Sequence, residues 1–416
     1  MLNNYELRLH DAYGSYKFNI EDVISLEYSR KANNLGIATV TIYGTRYEPY
    51  DFNRDDRLEI YRLNNKKSKV LIGDTCWFLR KQEVQIDSDC NVTIVLTFYD
   101  TIHLLTRRVV AWAGRLDVGY VSHLLQNYDS MLYLIMYFNY GNGTTSEILN
   151  ANALVPNVPA QNLTSLNGNL ISTIRSWQTL VYNSDLTNRR LPITLPIPPN
   201  QSTLSGTQRF ENITVLQAMQ EIANVSNLKG EKLYFDIIYT PASPFSTAQF
   251  EFRTWVNIRG LDRTFGFNRI VVGPQYGNLT DTSILRDWET EATIAYMAGN
   301  GQDENKIYAS AKSSVVVDSP FYPIEIFGSE NFGDEVTGLQ NPPEGISAAQ
   351  VLLAENAAIE TLTGTIINND KLDFFTNVNP YDLIIAEYKG FKQLVALDEY
   401  NVTVDESSEE ISIPLG

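Results

Sequence analysis

Residues 5–100 alternate apolar and polar side chains in one short run after another, and nearly every gap between runs holds turn-forming residues. A period of two sends successive side chains to opposite faces of a strand, so each run can bury one face only. LEYSR (26–30) and IATVTIYG (37–44) flank KANNLG, where Asn33, Asn34 and Gly36 suit positive φ, which predicts a hairpin. RLEIYRL (57–63) and KVLIGD (69–74) flank NNKKS, and WFLRKQEVQI (77–86) and NVTIVLTFYD (91–100) flank DSDC. Six or more such strands must curl onto one another to bury their apolar faces, which predicts a small barrel or sandwich.

The same hairpin recurs at the other end of the chain. VQIDSDCNVTIVL (84–96) and VTVDESSEEISIPL (402–415) each run from an alternating strand through an Asp and a short polar turn into a second strand. The echo extends backwards, with DDRLEIYR (55–62) ahead of the first copy and YDLIIAEY (381–388) ahead of the second. Asp56 and Asp87 are 31 residues apart and Asp382 and Asp405 are 23, so the first copy holds eight more, expected around the basic turn with Lys66, Lys67 and Lys69. The chain then carries two versions of one β-barrel, and a ring of n chains presents 2n similar surfaces. A trimer would look quasi-six-fold.

Between the copies the pattern changes. DTIHLLTRRVV (100–110) predicts a short helix capped by Asp100 with Leu104 and Leu105 inside. VGYVSHLLQNYD (118–129) predicts an amphipathic helix with Val118, Val121, Leu124 and Leu125 on one face. Residues 139–210 are polar and irregular, and the prolines of RRLPITLPIPPN (189–200) exclude a central strand or a helix. ENITVLQAMQEIANVSNLKG (211–230) predicts a helix ended by Gly230, followed by the strands YFDIIYT and FEFRTWVNI. Residues 290–314 suggest two strands around a Gly-rich turn, and ISAAQVLLAENAAIETLTG (346–364) a helix with Gly364 beyond its end.

The formal net charge of -17 argues against general affinity for nucleic acid, which needs Lys and Arg to displace counterions. It does not exclude a place beside DNA, because an acidic wall lets a polyanion slide past. Cys76 and Cys90 are too few for a disulfide framework or a four-ligand zinc site, and both are expected as buried free thiols. The N-terminus lacks the basic start and apolar core of a signal peptide, and MLYLIMYF (131–138) is too short to span a bilayer, so a soluble protein made in a cytoplasm is expected. His10, His103 and His123 have no partner at metal-ligand spacing, and GNG (299–301) suits a turn better than a phosphate cradle. No residue is assigned to catalysis, a cofactor or a metal. Asp262, Asp281, Asp287, Glu289 and Glu291 are glycosidase candidates only by being carboxylates, since their separation decides the chemistry.

The ordered set LEYSRKANNLGIATVTI (26–42), DRLEIYR, YDTIHLLTRRVV (99–110), YVSHLLQNY, VLQAMQEIA leading to YFDI, FEFRTWV…GLDRT, YMAGNGQDENKIYASA, SPFYPIEIF (319–327) and the final β-module spans nearly the whole chain. In order and spacing it resembles the tail hub (baseplate hub) proteins at the distal end of tailed-bacteriophage tails. The resemblance implies a β-rich α+β chain with two small tube-like β-barrel domains joined by mixed α/β insert domains. The corresponding division is 1–108 for the first barrel, 109–210 and 211–345 for the inserts, and 346–416 for a helix and the second barrel, completed by strands from 290–330. It implies a virion protein and a homotrimer forming a pseudo-hexameric ring. Above would stand the hexameric tail tube or distal tail ring protein, and below a tip, fibre or spike protein, with the tape-measure protein and DNA passing through the lumen. One departure stands out: many hubs have Gly-Asp before the strand of the last barrel, where this chain has Tyr381-Asp382 after Pro380.

Two groups of charged residues gain a possible role. Arg107 and Arg108 are either a solvated or salt-bridged pair at a domain junction or an intersubunit ion pair, for which the arginine fork is suited. Asp405, Glu406, Glu409 and Glu410 are either a solvated hairpin or part of an acidic lumen wall that keeps DNA moving. Two rival functions remain at this level, a receptor- or glycan-binding tip module with an exposed aromatic groove, and a cell-wall glycosidase. In some phages the hub-like chain also carries a C-terminal peptidase or lysozyme module; with the last barrel at the end of this sequence, none is expected here.

Overall fold

The computed structural model describes residues 4–63, 69–110, 121–140, 191–196, 199, 201–210, 213–243, 246–302, 305–315, 319–332, 340–367, 372–375 and 377–415. In chain order the first strands are β1 (Tyr5–His10), β2 (Tyr16–Ile20), β3 (Val23–Lys31), β4 (Ile37–Tyr43), β5 (Arg57–Leu63), β6 (Lys69–Leu71), β7 (Trp77–Ile86) and β8 (Val92–Tyr99). Next come α1 (His103–Thr106), β9 (Val121–Asn127), α2 (Tyr128–Tyr140), β10 (Ile193–Thr194), β11 (Ser205–Phe210), α3 (Val215–Leu228), β12 (Leu233–Thr240), β13 (Gln249–Val256) and β14 (Val271–Val272). They are followed by β15 (Leu279–Asp287), β16 (Ile294–Ala298), β17 (Tyr308–Lys312), β18 (Glu325–Ser329), α4 (Pro343–Glu355) and β19 (Ile359–Ile366). Last are β20 (Leu383–Tyr388), β21 (Phe391–Ala396), β22 (Glu399–Asp405) and β23 (Glu409–Leu415). The chain divides into a larger compact unit (Met1–Ala223, Lys232–Thr280 and Thr365–Leu415) and a smaller one built on Asn224–Glu231 and Asp281–Gly364.

The β-rich expectation holds. In the larger unit the strands pair in the order β23-β22-β3-β4-β8-β7-β5-β1-β2, with β6 on β5. Alternation works as read: Leu26, Ala38, Val40, Ile42, Ile94, Leu96 and Phe98 are fully buried, and Val402, Ile411 and Ile413 nearly so. Each such aliphatic or aromatic side chain contributes about 1.5–3 kcal/mol of transfer free energy. Among the described residues the strand path does not close on itself. The barrel expected within 1–108 appears instead as part of a larger sheet, because β22 pairs antiparallel with β3 from Glu399–Lys31 to Asp405–Ser25.

Several local expectations are corrected. Residues 121–127 of the stretch expected as a helix are strand β9, because β11, some eighty residues on, offers it a ladder from Phe210–Val121 to Ser205–Asn127. The helix begins only at Tyr128, where Tyr128, Met131, Leu132, Tyr133, Ile135, Met136 and Tyr140 are buried; such all-round apolar burial marks a core helix. The helix predicted over 346–364 stops at Glu355, and its supposed C-terminal half is β19. Asp100 does not cap α1, since its carboxylate accepts from Arg30 Nε at 2.8 Å. Gly36 has no positive φ; a Cβ there would lie 2.7 Å from Asp100 Oδ2, so close approach selects the glycine. Of KANNLG only Asn33 is left-handed, at φ 60°.

α3 is as predicted. Thr214 and Gln217 form a reciprocal cap, with Gln217 N–H donating to Thr214 Oγ1 (3.2 Å) and Thr214 N–H to Gln217 Oε1 (2.9 Å), and Gly230 stands past the end at φ 90°.

In the smaller unit α4 packs on the sheet β17-β16-β18 through Ala295, Met297, Ile307, Ala309, Phe332, Ala349 and Leu353. The two strands around the Gly-rich turn are present, antiparallel from Ile294–Lys312 to Ala298–Tyr308. The strands of 290–330, expected to complete the last barrel, pair with one another instead, while β22 and β23 belong to the larger unit. β15 pairs with β19, and Arg286 Nε meets Glu360 Oε1 at 2.5 Å.

Both echoed hairpins turn on an aspartate. Asp87 accepts from the N–H groups of Asp89 and Asn91 and from Asn91 Nδ2, each at 2.8 Å. Asp405 accepts from the N–H and hydroxyl groups of both Ser407 and Ser408, at 2.7–2.9 Å. The Ser407 N–H, then the two hydroxyls and the Ser408 N–H, pull the Asp405 carboxyl down to about 2. A depressed folded value means the contribution is complete above the ordinary carboxyl range and is lost as pH falls through about 2. We expect the Asp405 carboxyl carbon to titrate by NMR near pH 2, and to return toward about 4 in Ser407→Ala/Ser408→Ala. A wild-type midpoint near 4 contradicts this turn geometry.

Candidate functional site

The repeat seen in the sequence is a repeat in atoms. Asp56 Oδ2 accepts from the N–H of Asn53 (2.8 Å), and Asp382 Oδ2 from the N–H of Asn379 (3.1 Å), three residues back in each case. The backbone N–H of each aspartate also donates to the carbonyl of that asparagine, at 3.1 and 3.2 Å. Each aspartate is almost fully buried and has one cation, Lys17 Nζ at 2.9 Å and Arg263 Nε at 3.1 Å. The strand exits match too: Leu79 N–H donates to Asp56 O (2.9 Å) and Leu397 N–H to Asp382 O (3.0 Å), while Asp55 and Tyr381 donate back to Leu79 O and Leu397 O. From Leu79 to Asp87 and from Leu397 to Asp405 the spacing is equal, so all eight surplus residues lie between Asp56 and Leu79. That interval contains the basic turn to which the sequence assigned them.

The departure at Tyr381 resolves here. The residue before each aspartate is left-handed, Asp55 at φ 67° and Tyr381 at φ 71°, the conformation a glycine would adopt without strain. An arginine holds each one. Arg259 lies over the Tyr381 ring, 3.6 Å from its centre, and Arg107 forks onto Asp55 with Nη2–Oδ1 2.5 Å and Nη1–Oδ2 3.2 Å. Burial raises the Asp55 carboxyl, but Arg107 and Arg80 outweigh it and leave it below the usual range. Arg107 therefore takes the salt-bridged place at the turn, and Arg108 Nη1 donates to the Arg107 carbonyl at 2.9 Å.

The acidic group divides. Glu409 is bound bidentately by Arg62, Nε–Oε1 and Nη2–Oε2 both 2.8 Å, and accepts from Tyr5 Oη at 2.5 Å. Asp405 shapes its turn, while Glu406 and Glu410 are exposed.

Beneath the first turn lies a buried charge cluster that sequence reasoning missed. Arg30, 2% exposed, donates to Asp100 through Nε (2.8 Å), to the Gly73 carbonyl through Nη1 (2.7 Å) and to both oxygens of Asp236 through Nη2. Arg259 Nη2 reaches Asp236 at 2.5 Å. Two arginines face two aspartates. Burial pushes Asp100 up, whereas for Asp236 Arg30 and Arg259 outweigh burial and hold it below the usual range. Asn33 next to this cluster bonds β12 with its amide, donating to Leu233 O (2.8 Å) and accepting from Phe235 N–H (2.9 Å), as a strand backbone would.

Several of the remaining chemistry candidates have local partners. His103 is pushed down to about 4 by burial, then by Arg107 and Arg80, and is neutral at pH 7. Asp262 bonds the Thr264 N–H and hydroxyl, Asp287 the Glu289 N–H, and Glu291 the Tyr322 hydroxyl. Among the described residues no three His, Cys, Asp or Glu side chains are placed to hold a metal ion. Cys76 is buried as expected, but Cys90 is exposed, left-handed at φ 62° in the first hairpin turn, which corrects its expected burial; the two are not bonded. A cavity of about 390 Å³ is walled by Trp255, Arg259, Tyr381 and Asp382 among others, and Asp382 is already satisfied by Leu261 N–H, Arg263 and Asn379 N–H.

No protein-family model and no curated protein sequence matches the chain. Among solved structures it is similar to the 43 kDa tail protein of prophage MuSo2 from Shewanella oneidensis, over 99% of this chain and 98% of that one, with 8% identity and a TM-score of 0.51. It is similar also to the prophage tail protein gp18 from Listeria monocytogenes EGD-e (99% and 94% covered, 11% identity, TM-score 0.48). A third is the tail protein from Neisseria meningitidis MC58 (99% and 96% covered, 10% identity, TM-score 0.49). The fold is shared with the first of these along the whole of both chains.

Proposed function

We propose that this chain is a structural hub at the distal end of a bacteriophage tail, three copies of which form a ring with six similar modules. The fold shared with a prophage tail protein supports the setting. The observation that carries the ring is the use the chain makes of one strand edge twice over. By the spacing from Leu397 to Leu79, β22 residues 399–405 correspond to residues 81–87, of which 81–86 lie in β7. β22 gives its outer edge to β3 over seven residue pairs. β7 meets β5 only at Trp77 and Phe78, and among the described residues no other strand pairs with its outer edge from Arg80 onward. An unpaired edge invites another strand. In the ring β7 adds to the free edge of β15 on the next copy, repeating between chains what β22 and β3 do within one.

Such a ring continues the hexameric tail tube or distal ring above it and holds a tip, fibre or spike protein below, with the tape-measure protein and then DNA passing through. Of the proposed lumen charges, Asp405, Glu406 and Glu410 have no ion pair among the described residues, while Glu409 is held by Arg62, and acidic walls release rather than bind a polyanion. The protein belongs to the virion and is made in the host bacterial cytoplasm. Native mass spectrometry of the purified chain tests the ring. A species of three 47.0 kDa chains is the expected result; a single-chain mass at every concentration overturns it.

A further inference from the structure

The sheet β17-β16-β18 carries α4 on one face only. Ala295, Met297 and Ala309 turn toward the helix and are buried. The residues between them turn away and are uncovered, with Tyr296 39%, Tyr308 48% and Phe327 64% exposed. Tyr296 and Phe327 stand opposite one another in the parallel pair β16–β18, so their rings are neighbours on strands about 4.8 Å apart. Tyr296 Oη donates to Glu325 Oε1 at 3.2 Å, which fixes one carboxylate beside the two rings. Phe321 and Ile324, both exposed, precede β18.

Charge says what covers this face. Residues 281–364 hold 14 Asp and Glu against three Lys and Arg, so about a fifth of the chain carries most of its net charge of -17. Within the three strands the acid is Glu325 and the base Lys312, which flank Ile294 from opposite sides. Nucleic acid and anionic glycan are repelled by a compact unit of this net charge. A neutral sugar could stack on the rings but would leave the acidic surplus unused.

We propose that this face is the docking site for a basic polypeptide partner, read through an arginine lying flat against Tyr296 and Phe327 with its guanidinium at Glu325. The guanidinium is planar, stacks on aromatic faces and forks onto carboxylates, and its weak hydration makes it the cation most easily brought to a half-apolar surface. The site lies on side chains that the proposed ring does not use, so the two readings fail separately.

The test titrates the full-length chain with the peptide acetyl-Leu-Arg-Leu-Arg-Gly-amide, its Lys and Glu counterparts, and a neutral glucan oligomer, by calorimetry and by NMR of labelled tyrosine and phenylalanine rings. The expected result is binding of the Arg peptide with shifts at Tyr296 and Phe327, several-fold weaker binding of the Lys peptide and none of the Glu peptide. Phe327→Ser, an exposed position whose loss leaves the core intact, weakens binding about tenfold, and Glu325→Gln weakens it and flattens its salt dependence. Equal binding of the Glu peptide, absence of binding at millimolar peptide, binding of the glucan alone, or an unchanged affinity in Phe327→Ser overturns the proposal. So does self-association of the wild type that Phe327→Ser abolishes, which gives the face to a second copy.

Discussion

Arg30→Ala lowers the unfolding free energy of the larger unit by about 3–5 kcal/mol, the usual loss when one partner of a buried ion pair is deleted. The reason is what remains. Asp100 and Asp236 are completely buried, and the variant strands two carboxylates with Arg259 as their one remaining cation. A domain is stable by only about 5–15 kcal/mol, so much of the margin disappears. Arg30→Lys recovers little, because one ammonium cannot reach Asp100, the Gly73 carbonyl and both oxygens of Asp236 in the directions the guanidinium serves. The pH dependence is specific. Without Arg30 the Asp100 carboxyl, already raised by burial, rises further and the Asp236 carboxyl rises with it, so the folded variant takes up protons and the deficit against wild type shrinks from pH 7 toward pH 5. Urea unfolding followed by tryptophan fluorescence at both pH values checks this. A loss below about 1 kcal/mol, or one that does not vary with pH, shows that the cluster does not hold the unit together.

Blocking the outer edge of β7 abolishes the three-chain species without unfolding the chain. In an antiparallel ladder successive residues face alternate sides, so of the neighbours Glu83 and Val84 one directs its N–H at β8 and the other outward. Proline removes that N–H, and an edge strand accepts it only where the N–H faces away from its partner. Of Glu83→Pro and Val84→Pro, one therefore remains a folded monomer by native mass spectrometry and circular dichroism, and the other loses the β7–β8 hairpin. Retention of the three-chain species in both variants excludes this edge from assembly.

How much of this was legible depends on distance along the chain. The hairpins were readable because turn and strands sit within twenty residues, and the repeat because the same Asp recurs at the same offset. Asn53 and Asn379, three residues before their aspartates, were a signal within reach, since NRDD and NPYD share it. VSHLLQN could not be recognised as a strand, because SGTQRF, which makes it one, comes some eighty residues later. ENAAIETLTG contains no Gly or Pro at the point where α4 gives way to β19, so nothing local marks the change. Arg30, Asp100 and Asp236 are ordinary charges until three distant segments bring them together.

The inequality of the two modules has an arithmetic consequence. Handholds common to both, such as the aspartate-closed hairpin tips, would be offered six times around the proposed ring of three chains. Those of one module alone, the eight surplus residues or Cys90, are offered three times. If the proposed ring forms, the duplicated chain would sort its neighbours by stoichiometry: a six-membered assembly would find its match on the shared features, a three-membered one on the differences, and a thiol label on Cys90 would count the second kind.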